Sequence, residues 1–186
     1  MSAAPIELPV EGISDGEILI RLLADADVPA IAAACRDPAI QRFTTVPDPY
    51  REEDARSWGR RSAESAAAGV GIEAVIADVR TNRALGTIGV RRSHRDRRRW
   101  AIGYLVFPEE RNRGIAGRAV SLVTRFAFDH LGAERLEIQA EPENSPSLRV
   151  AERAGYTRER VLRAHQEIKG VPRDMVVYSL NRGELR

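Results

Sequence analysis

The residues best suited to chemistry stand together in Arg111-Asn112-Arg113-Gly114-Ile115-Ala116-Gly117-Arg118. This segment joins an apolar, strand-like run that closes at Val106 to a stretch of helical periodicity. A helix start carries N–H groups without intrahelical partners and the positive end of the macrodipole. Backbone alone can therefore hold an anion there, provided no side chain obstructs its approach. Gly114, Ala116 and Gly117 keep the approach open, while Arg111, Arg113 and Arg118 add positive charge. The chemistry indicated is the grip of a diphosphate. A Walker loop would read G-x-x-x-x-G-K-[ST], and a dinucleotide fold would read G-x-G-x-x-G directly after the first strand of a βαβ unit; neither spacing occurs. What stands here is R-x-x-G-x-A across Arg111, Gly114 and Ala116, more than halfway along the chain.

The surroundings of the loop follow a definite order. Trp100-Ala101-Ile102-Gly103-Tyr104-Leu105-Val106 precedes it as a strand, and a helix over about 115–131 follows it. Next comes the strand Arg135-Leu136-Glu137-Ile138-Gln139-Ala140. Asn144-Ser145-Pro146-Ser147 then opens a second helix, which ends at Gly155-Tyr156. Loop and order together resemble the GNAT superfamily of N-acetyltransferases, whose acyl-coenzyme A pyrophosphate loop reads Q/R-x-x-G-x-G/A. Ile102-Gly103-Tyr104, Pro142-Glu143-Asn144, and Ser147 three residues after the asparagine are similar to the RimJ/RimL branch, which includes ribosomal-protein-alanine N-acetyltransferases. The likeness extends over about 18–180.

The resemblance implies an α/β (α+β) GNAT fold, with a mixed, mostly antiparallel sheet of about seven strands flanked by about four helices. It implies transfer of an acyl group from acetyl-coenzyme A, or another acyl-coenzyme A, to a primary amine by direct attack in a ternary complex. The acceptor would be a protein N-terminal amine or a small-molecule amine, and no metal is called for. Arg111, Asn112, Arg113, Gly114, Ile115, Ala116, Gly117 and Arg118 would share the diphosphate. Backbone N–H groups of Leu105 and Val106 would form the oxyanion site and fix the pantetheine arm. Asn144 would contact that arm while also capping its helix. Phe43, Tyr50, Trp58 and Tyr104 would line the acceptor pocket, with core packing an equal alternative for the first three.

Proton handling departs from the family pattern. Many members carry a tyrosine seven residues after the asparagine to protonate the leaving thiolate, and here that position is Ala151. Unless Tyr104, Tyr156 or Tyr178 substitutes, the donor implied by the RimL-like branch is Ser147, which also reads as an ordinary first-turn helix residue. A thiol of pKa about 8.5 is already a fair leaving group, so hydrogen-bond donation is the role open to a serine. The glutamate that some members place five residues before the asparagine is here Gln139. Glu137 lies on the same strand face and could act through a water relay, although a strand glutamate more often simply faces solvent. Glu141 and Glu143 read as helix-start charges. An α-amine with pKa near ~8 needs little help, whereas an alkyl amine near ~10.4 needs a base or a desolvated pocket. Ala151 and Gln139 keep a second function open, a catalytically weak module that binds or senses an acyl-coenzyme A.

The whole chain must position these groups. Its 186 residues, 43% hydrophobic, suit one domain over 17–186 behind a flexible tail over 1–16. Residues 1–16 lack the basic start and apolar run of a signal peptide, and no segment approaches a membrane span. Cys35 alone excludes an internal disulfide framework and a thiolate zinc site, which makes the cytoplasm the default compartment. His94, His130 and His165 are too scattered for metal ligation. The net charge is only +2, yet Arg91-Arg92-Ser93-His94-Arg95-Asp96-Arg97-Arg98-Arg99 is densely basic. It reads as a solvated hairpin tip, or as a contact for RNA or an acidic partner; the lack of interleaved aromatics weighs against nucleic acid. A homodimer is a frequent arrangement among proteins of this family.

Hydrophobic periodicity supplies the remaining elements. A first strand begins at Ile18, and a helix capped by Asp25 tolerates Pro29 in its first turn, carrying Ile31, Cys35 and Ile40. A second helix spans about 51–67 and ends at Gly69 and Gly71. Strands over 72–79 and 84–90, turning at Thr81-Asn82-Arg83, form an antiparallel meander with the strand before the loop. Two more strands, over 158–168 and 173–180, close the chain around Lys169-Gly170-Val171-Pro172.

Overall fold

Period-two burial along the strands puts two different cores on the two faces of one sheet. The computed structural model describes residues 4–185. Its strands are β1 (Ile13–Ser14), β2 (Ile18–Arg21), β3 (Gly71–Asp78), β4 (Ala84–Arg92), β5 (Arg99–Val106), β6 (Arg135–Ala140), β7 (Thr157–Ile168) and β8 (Val171–Asn181). They lie in the order β1-β2-β3-β4-β5-β6-β8-β7. Helices α1 (Val28–Ala34), α2 (Pro38–Phe43), α3 (Glu52–Ala67), α4 (Ile115–His130) and α5 (Ser145–Arg153) cover the faces. Ile72, Ala74 and Ile76 of β3 join Trp100, Ile102, Leu136 and Ile138 under α4. Val75 and Ala77, from the opposite face of β3, join Val28, Ile31 and Cys35 of the α1 region and Ala55 of α3.

The architecture is the mixed α/β arrangement expected, with two differences in element count. The additional strand is β1, inside the segment read as a loose tail. Among its described residues Ile6 is buried, and its N–H donates to Ala66 O at 2.8 Å. The additional helix arises because the first predicted helix is two. Pro38 has no N–H and drives its predecessor out of helical conformation, and Asp37 accordingly sits at φ −59°, ψ 132°. Its carboxylate accepts from Ala39 N and Ile40 N, so α2 starts afresh. Asp25 is not a cap as predicted. Asp27 is the carboxylate that accepts from Ala24 N, and it also takes both terminal nitrogens of Arg21, at 2.7 and 2.9 Å. Gly71 opens β3 instead of ending α3, and the basic run forms the tip between β4 and β5. Among the described residues no helix is long and apolar enough to cross a membrane.

The feature that matters for a site lies at β5. It pairs antiparallel with β4 from Arg92↔Trp100 through Gly86↔Val106, but parallel with β6 only from Arg99↔Arg135 to Ile102↔Ile138. From Gly103 onward the two parallel strands part, while β6 stays paired with β8 to its end at Ala140↔Val176. Leu136, fully buried opposite Trp100, is one of the side chains that clamp the paired half. Leu136→Ala is expected to lower unfolding free energy by about 2–5 kcal/mol, the range for a buried leucine that leaves a cavity. A urea titration at unchanged m-value measures it; a midpoint equal to the parent's would show that the clamp is not where the fold draws stability.

Candidate active site

Backbone direction along β5 follows from three hydrogen bonds. Phe107 N–H donates to Leu85 O at 2.9 Å and Ser93 N–H donates to Arg99 O at 2.8 Å, so odd-numbered residues turn toward β4. Arg98 O accepts from Glu134 N–H at 2.9 Å, so even-numbered residues turn toward β6. Alternation then aims the Val106 N–H into the gap that opens beyond Ile102. Leu105, opposite Thr87, spends its N–H on the ladder with β4. Of the two backbone donors expected, Val106 is directed at the gap and Leu105 is not, because neighbouring residues of a strand face opposite edges.

After Val106 the chain makes a short 3-10 turn at Pro108–Glu110 and enters α4 through two left-handed residues, Asn112 (φ 63°) and Gly114 (φ 76°). Gly114 is the N-cap, and no side chain caps the helix. Arg118 N–H closes the first turn on Gly114 O at 3.1 Å, leaving the N–H groups of Ile115, Ala116 and Gly117 as the orphan donors of a helix start. A Cβ added at Gly114 or Gly117 would meet nothing within 4 Å, so the space beside this turn is open. The donors and the open approach fit a diphosphate.

The three arginines expected to add charge are each matched by an acid. Arg111 donates to Asp37 Oδ1 at 2.6 Å and holds that carboxyl below the usual carboxylate range. Arg113 pairs with buried Glu110, which also takes Arg83 at 2.6 Å. Arg118 donates to Asp15 Oδ2 at 2.8 Å. Their charge is largely balanced locally, so the positive potential left at this turn comes chiefly from backbone dipoles.

Across the gap, Asn144 caps α5 by accepting from Ser147 N–H at 3.3 Å. The Tyr104 hydroxyl lies 3.0 Å from Ser147 Oγ and 3.2 Å from Ser147 O. Tyr104 was expected in the acceptor wall. Strand parity instead puts its ring on the α4 side, in the cluster with Trp100 and Ile102. Burial pushes its phenol up to about 12, against the hydrogen bond from Ser147, so at neutral pH it keeps its proton and can donate it. Tyr156 is engaged with Thr124 and Tyr178 donates to Glu152. Ala151 is fully buried in α5. Of the three tyrosines that could stand in for the missing one, Tyr104 is the one in contact with Ser147.

Glu137 lies opposite Ala101 on the other face of the sheet, with its Oε2 3.4 Å from Gln139 Nε2. Its other oxygen accepts from Arg135 Nε at 3.1 Å, and Arg99 stands 3.9 Å away. Two guanidiniums therefore compete for its lone pairs. Of the expected acceptor wall, Tyr50 is buried in the second core and Trp58 packs against that core. Phe43 is half-buried on α2, under the Arg42 guanidinium at 4.8 Å.

Sequence reasoning missed the role of α2. Its N-cap, Asp37, holds Arg111 of the anion loop, while Arg42 near its other end donates to both oxygens of Glu141 at 2.8 and 3.0 Å. Glu141, read as a helix-start charge, is in fact a buried counter-ion that also has Arg173 within 3.8 Å. Gln41 donates to Cys35 O and Pro47 O and contacts Lys169 of the β7 and β8 turn. α2 thus ties the segment after β5 to the segment after β6, across the mouth of the gap. The legible signal was the Asp37-Pro38 pair, a cap followed by a helix-starting proline.

Comparisons with known proteins bear on the family and the fold. Residues 17–157 match the family model described as Acetyltransferase (GNAT) domain. The chain is 29% identical to the uncharacterized N-acetyltransferase YoaA of Bacillus subtilis (strain 168), over 88% of this chain and 92% of that protein. Its fold is similar to that of Mycobacterium smegmatis RimJ in complex with CoA-disulfide, with a TM-score of 0.82 and 21% identity over 100% of this chain and 89% of that one. It is likewise similar to a RimL ribosomal alpha-N-protein acetyltransferase in complex with coenzyme A, with a TM-score of 0.80 and 17% identity over 93% and 98% of the two chains.

Removing the buried charge that anchors α2 should be costly. Glu141→Gln leaves Arg42 and Arg173 without a full counter-ion, and a loss of about 1–3 kcal/mol is expected because Arg42 is partly screened by solvent. Arg60→Ala, on an exposed pair with Glu53, should change stability by less than about 0.5 kcal/mol. Equal thermal denaturation midpoints for the two variants would contradict the anchoring role.

Proposed function

The chain belongs to the GNAT acetyltransferase family, and from that premise we propose that residues 17–186 form one domain that moves the acetyl group of acetyl-coenzyme A onto a primary amine by direct attack. The observation that carries the reading is the gap between β5 and β6, which has the Val106 N–H on one edge, an open helix start at its mouth and a hydroxyl pair beside it. The amides of residues 114–117 hold the diphosphate, and the Val106 N–H donates to the thioester carbonyl. One well-placed backbone donor to a developing oxyanion is worth about 2.7–4 kcal/mol. The hydroxyls of Tyr104 and Ser147 donate to the departing sulfur, with the Asn144 cap fixing the start of the helix that carries Ser147.

The acceptor favoured is the α-amine of a protein N-terminus. With a pKa near ~8, about a tenth of such an amine is already neutral at pH 7, so it needs only a modest base. Cys35 offers no nucleophile in its place: it is buried beside α1, and burial pushes its thiol up to about 11. Two of the solved structures that share the fold are a ribosomal alpha-N-protein acetyltransferase and a microcin self-immunity acetyltransferase bound to acetyl-CoA and AMP. Both support an acyl-coenzyme A donor.

Thiol release from acetyl-coenzyme A, followed with peptides carrying free N-terminal alanine or serine and with small primary amines, tests the reaction. Turnover with at least one N-terminal amine is expected, and silence across the whole panel would overturn the proposal. Gly114→Val, which forces a β-branched residue to φ 76°, should raise KM for acetyl-coenzyme A at least about tenfold. Unchanged KM in a folded variant would remove the loop from the site.

A further inference from the structure

β3 is an apolar strand with one carboxylate in its interior, Glu73, and a second at its end, Gly71-Ile72-Glu73-Ala74-Val75-Ile76-Ala77-Asp78. In the sheet register Glu73 faces Gly89 of β4, which in turn faces Gly103 of β5. The row thus contains one side chain and two bare backbones. A Cβ built on Gly89 would fall 1.9 Å from Glu73 Oε2 and 2.3 Å from its carboxyl carbon. The carboxyl therefore fills the volume that a side chain at position 89 would need. Beyond it, a Cβ on Gly103 would meet nothing within 4 Å, and Gly103 is exposed. Strands lie about 4.8 Å apart, so the carboxyl stands roughly one strand from an open floor. That floor begins at the first β5 residue past its last pairing with β6.

We propose that Glu73 is the catalytic base of this site, receiving the acceptor amine on the face opposite α4 and taking its proton. The inference rests on the transfer reaction proposed above. Glu73 shares its face with Val75 and Ala77, the face that α1 and α3 cover. Its neighbours leave it available. Arg91 of β4 is the charged group nearest it, at 3.9 Å from Oε1 and itself mostly exposed. Ser62 of α3 bonds only the Glu73 backbone, accepting from its N–H and donating to its carbonyl at 2.9 Å each. The groove behind Glu73 carries Glu7, Asp25, Arg56 and Arg60, of which the two arginines are engaged with Glu52 and Glu53. Gly103 brings no charge from β5. Burial raises the Glu73 carboxyl above the usual range, with Arg91 opposing, which makes it a better proton acceptor than a solvated glutamate.

The step balances. The amine nitrogen forms a bond to the carbonyl carbon as the carbon–sulfur bond breaks. The departing thiolate accepts hydrogen bonds from the hydroxyls of Tyr104 and Ser147 and takes its proton from solvent. The nitrogen's surplus proton passes to Glu73 through water lying over the open Gly103 floor, and then to solvent. Amine plus thioester becomes amide plus thiol.

The test compares wild type, Glu73→Gln and Glu73→Asp with acetyl-coenzyme A and an N-terminal serine peptide across pH 5–9, beside calorimetric titration with coenzyme A. A general base contributes about 10²–10⁴-fold, so Glu73→Gln should lose at least about a hundredfold in kcat/KM. It should also lose the rise of activity that follows deprotonation of the carboxyl, while coenzyme A affinity stays unchanged. Glu73→Asp should recover part of the rate and keep the rise. An active wild type with Glu73→Gln equal to it in rate and pH profile would overturn this proposal and leave the transfer reaction standing. A wild type that binds coenzyme A but acetylates nothing would overturn the reaction itself, and this inference with it.

Discussion

Everything functional here depends on one strand being paired unequally on its two edges. β5 keeps seven paired positions with β4 but only four with β6, so the sheet is continuous through one edge and open at the other. A buried N–H without a partner costs of the order of 1–3 kcal/mol, and the Val106 N–H is aimed into such an opening. The segments that lead into α4 and α5 follow β5 and β6, the two strands that bound this opening. An extended ligand arm with carbonyl groups can complete the interrupted ladder, which ties recognition of the cosubstrate to the placement of its reactive end.

The electrostatics around this opening are more balanced than the abundance of arginine suggests. Arg111, Arg113 and Arg118 each meet a carboxylate, and Glu110 and Glu141 are buried acids that each gather two guanidiniums. The positive potential at the start of α4 therefore comes from oriented amides, which need no side chain to be freed, while the ion pairs fix segments. The clearest case is α2, too short at six residues to be stable alone, held by Asp37 at one end and Arg42 at the other. Through it the segments that follow β5 and β6 are mechanically joined.

Much of this was legible in the chain. The order of strand, loop, helix, strand, helix was readable because Gly114, Asn144 and Gly155 punctuate strongly periodic segments, and because a glycine at φ 76° has few substitutes. Facts about parity and partnership were not legible. Whether Leu105 or Val106 faces the gap, and whether Tyr104 points toward α5 or toward the acceptor, depends on which edge each residue gives to β4. Glu141 reads as a surface charge until Arg42, 99 positions away, covers it. Glu73 looks like an irregularity in an apolar strand until Gly89 and Gly103 are seen beside it in one row.

The central claim is that the unpaired edge of β5 holds the reacting carbonyl, and its most direct test is a crystal structure with a non-hydrolysable analogue of acetyl-coenzyme A. The account requires the analogue's carbonyl oxygen within about 3 Å of the Val106 nitrogen, and the diphosphate on the amides of residues 114–117. A carbonyl bound away from β5, with β5 and β6 closed against each other beyond Ile102, would contradict it.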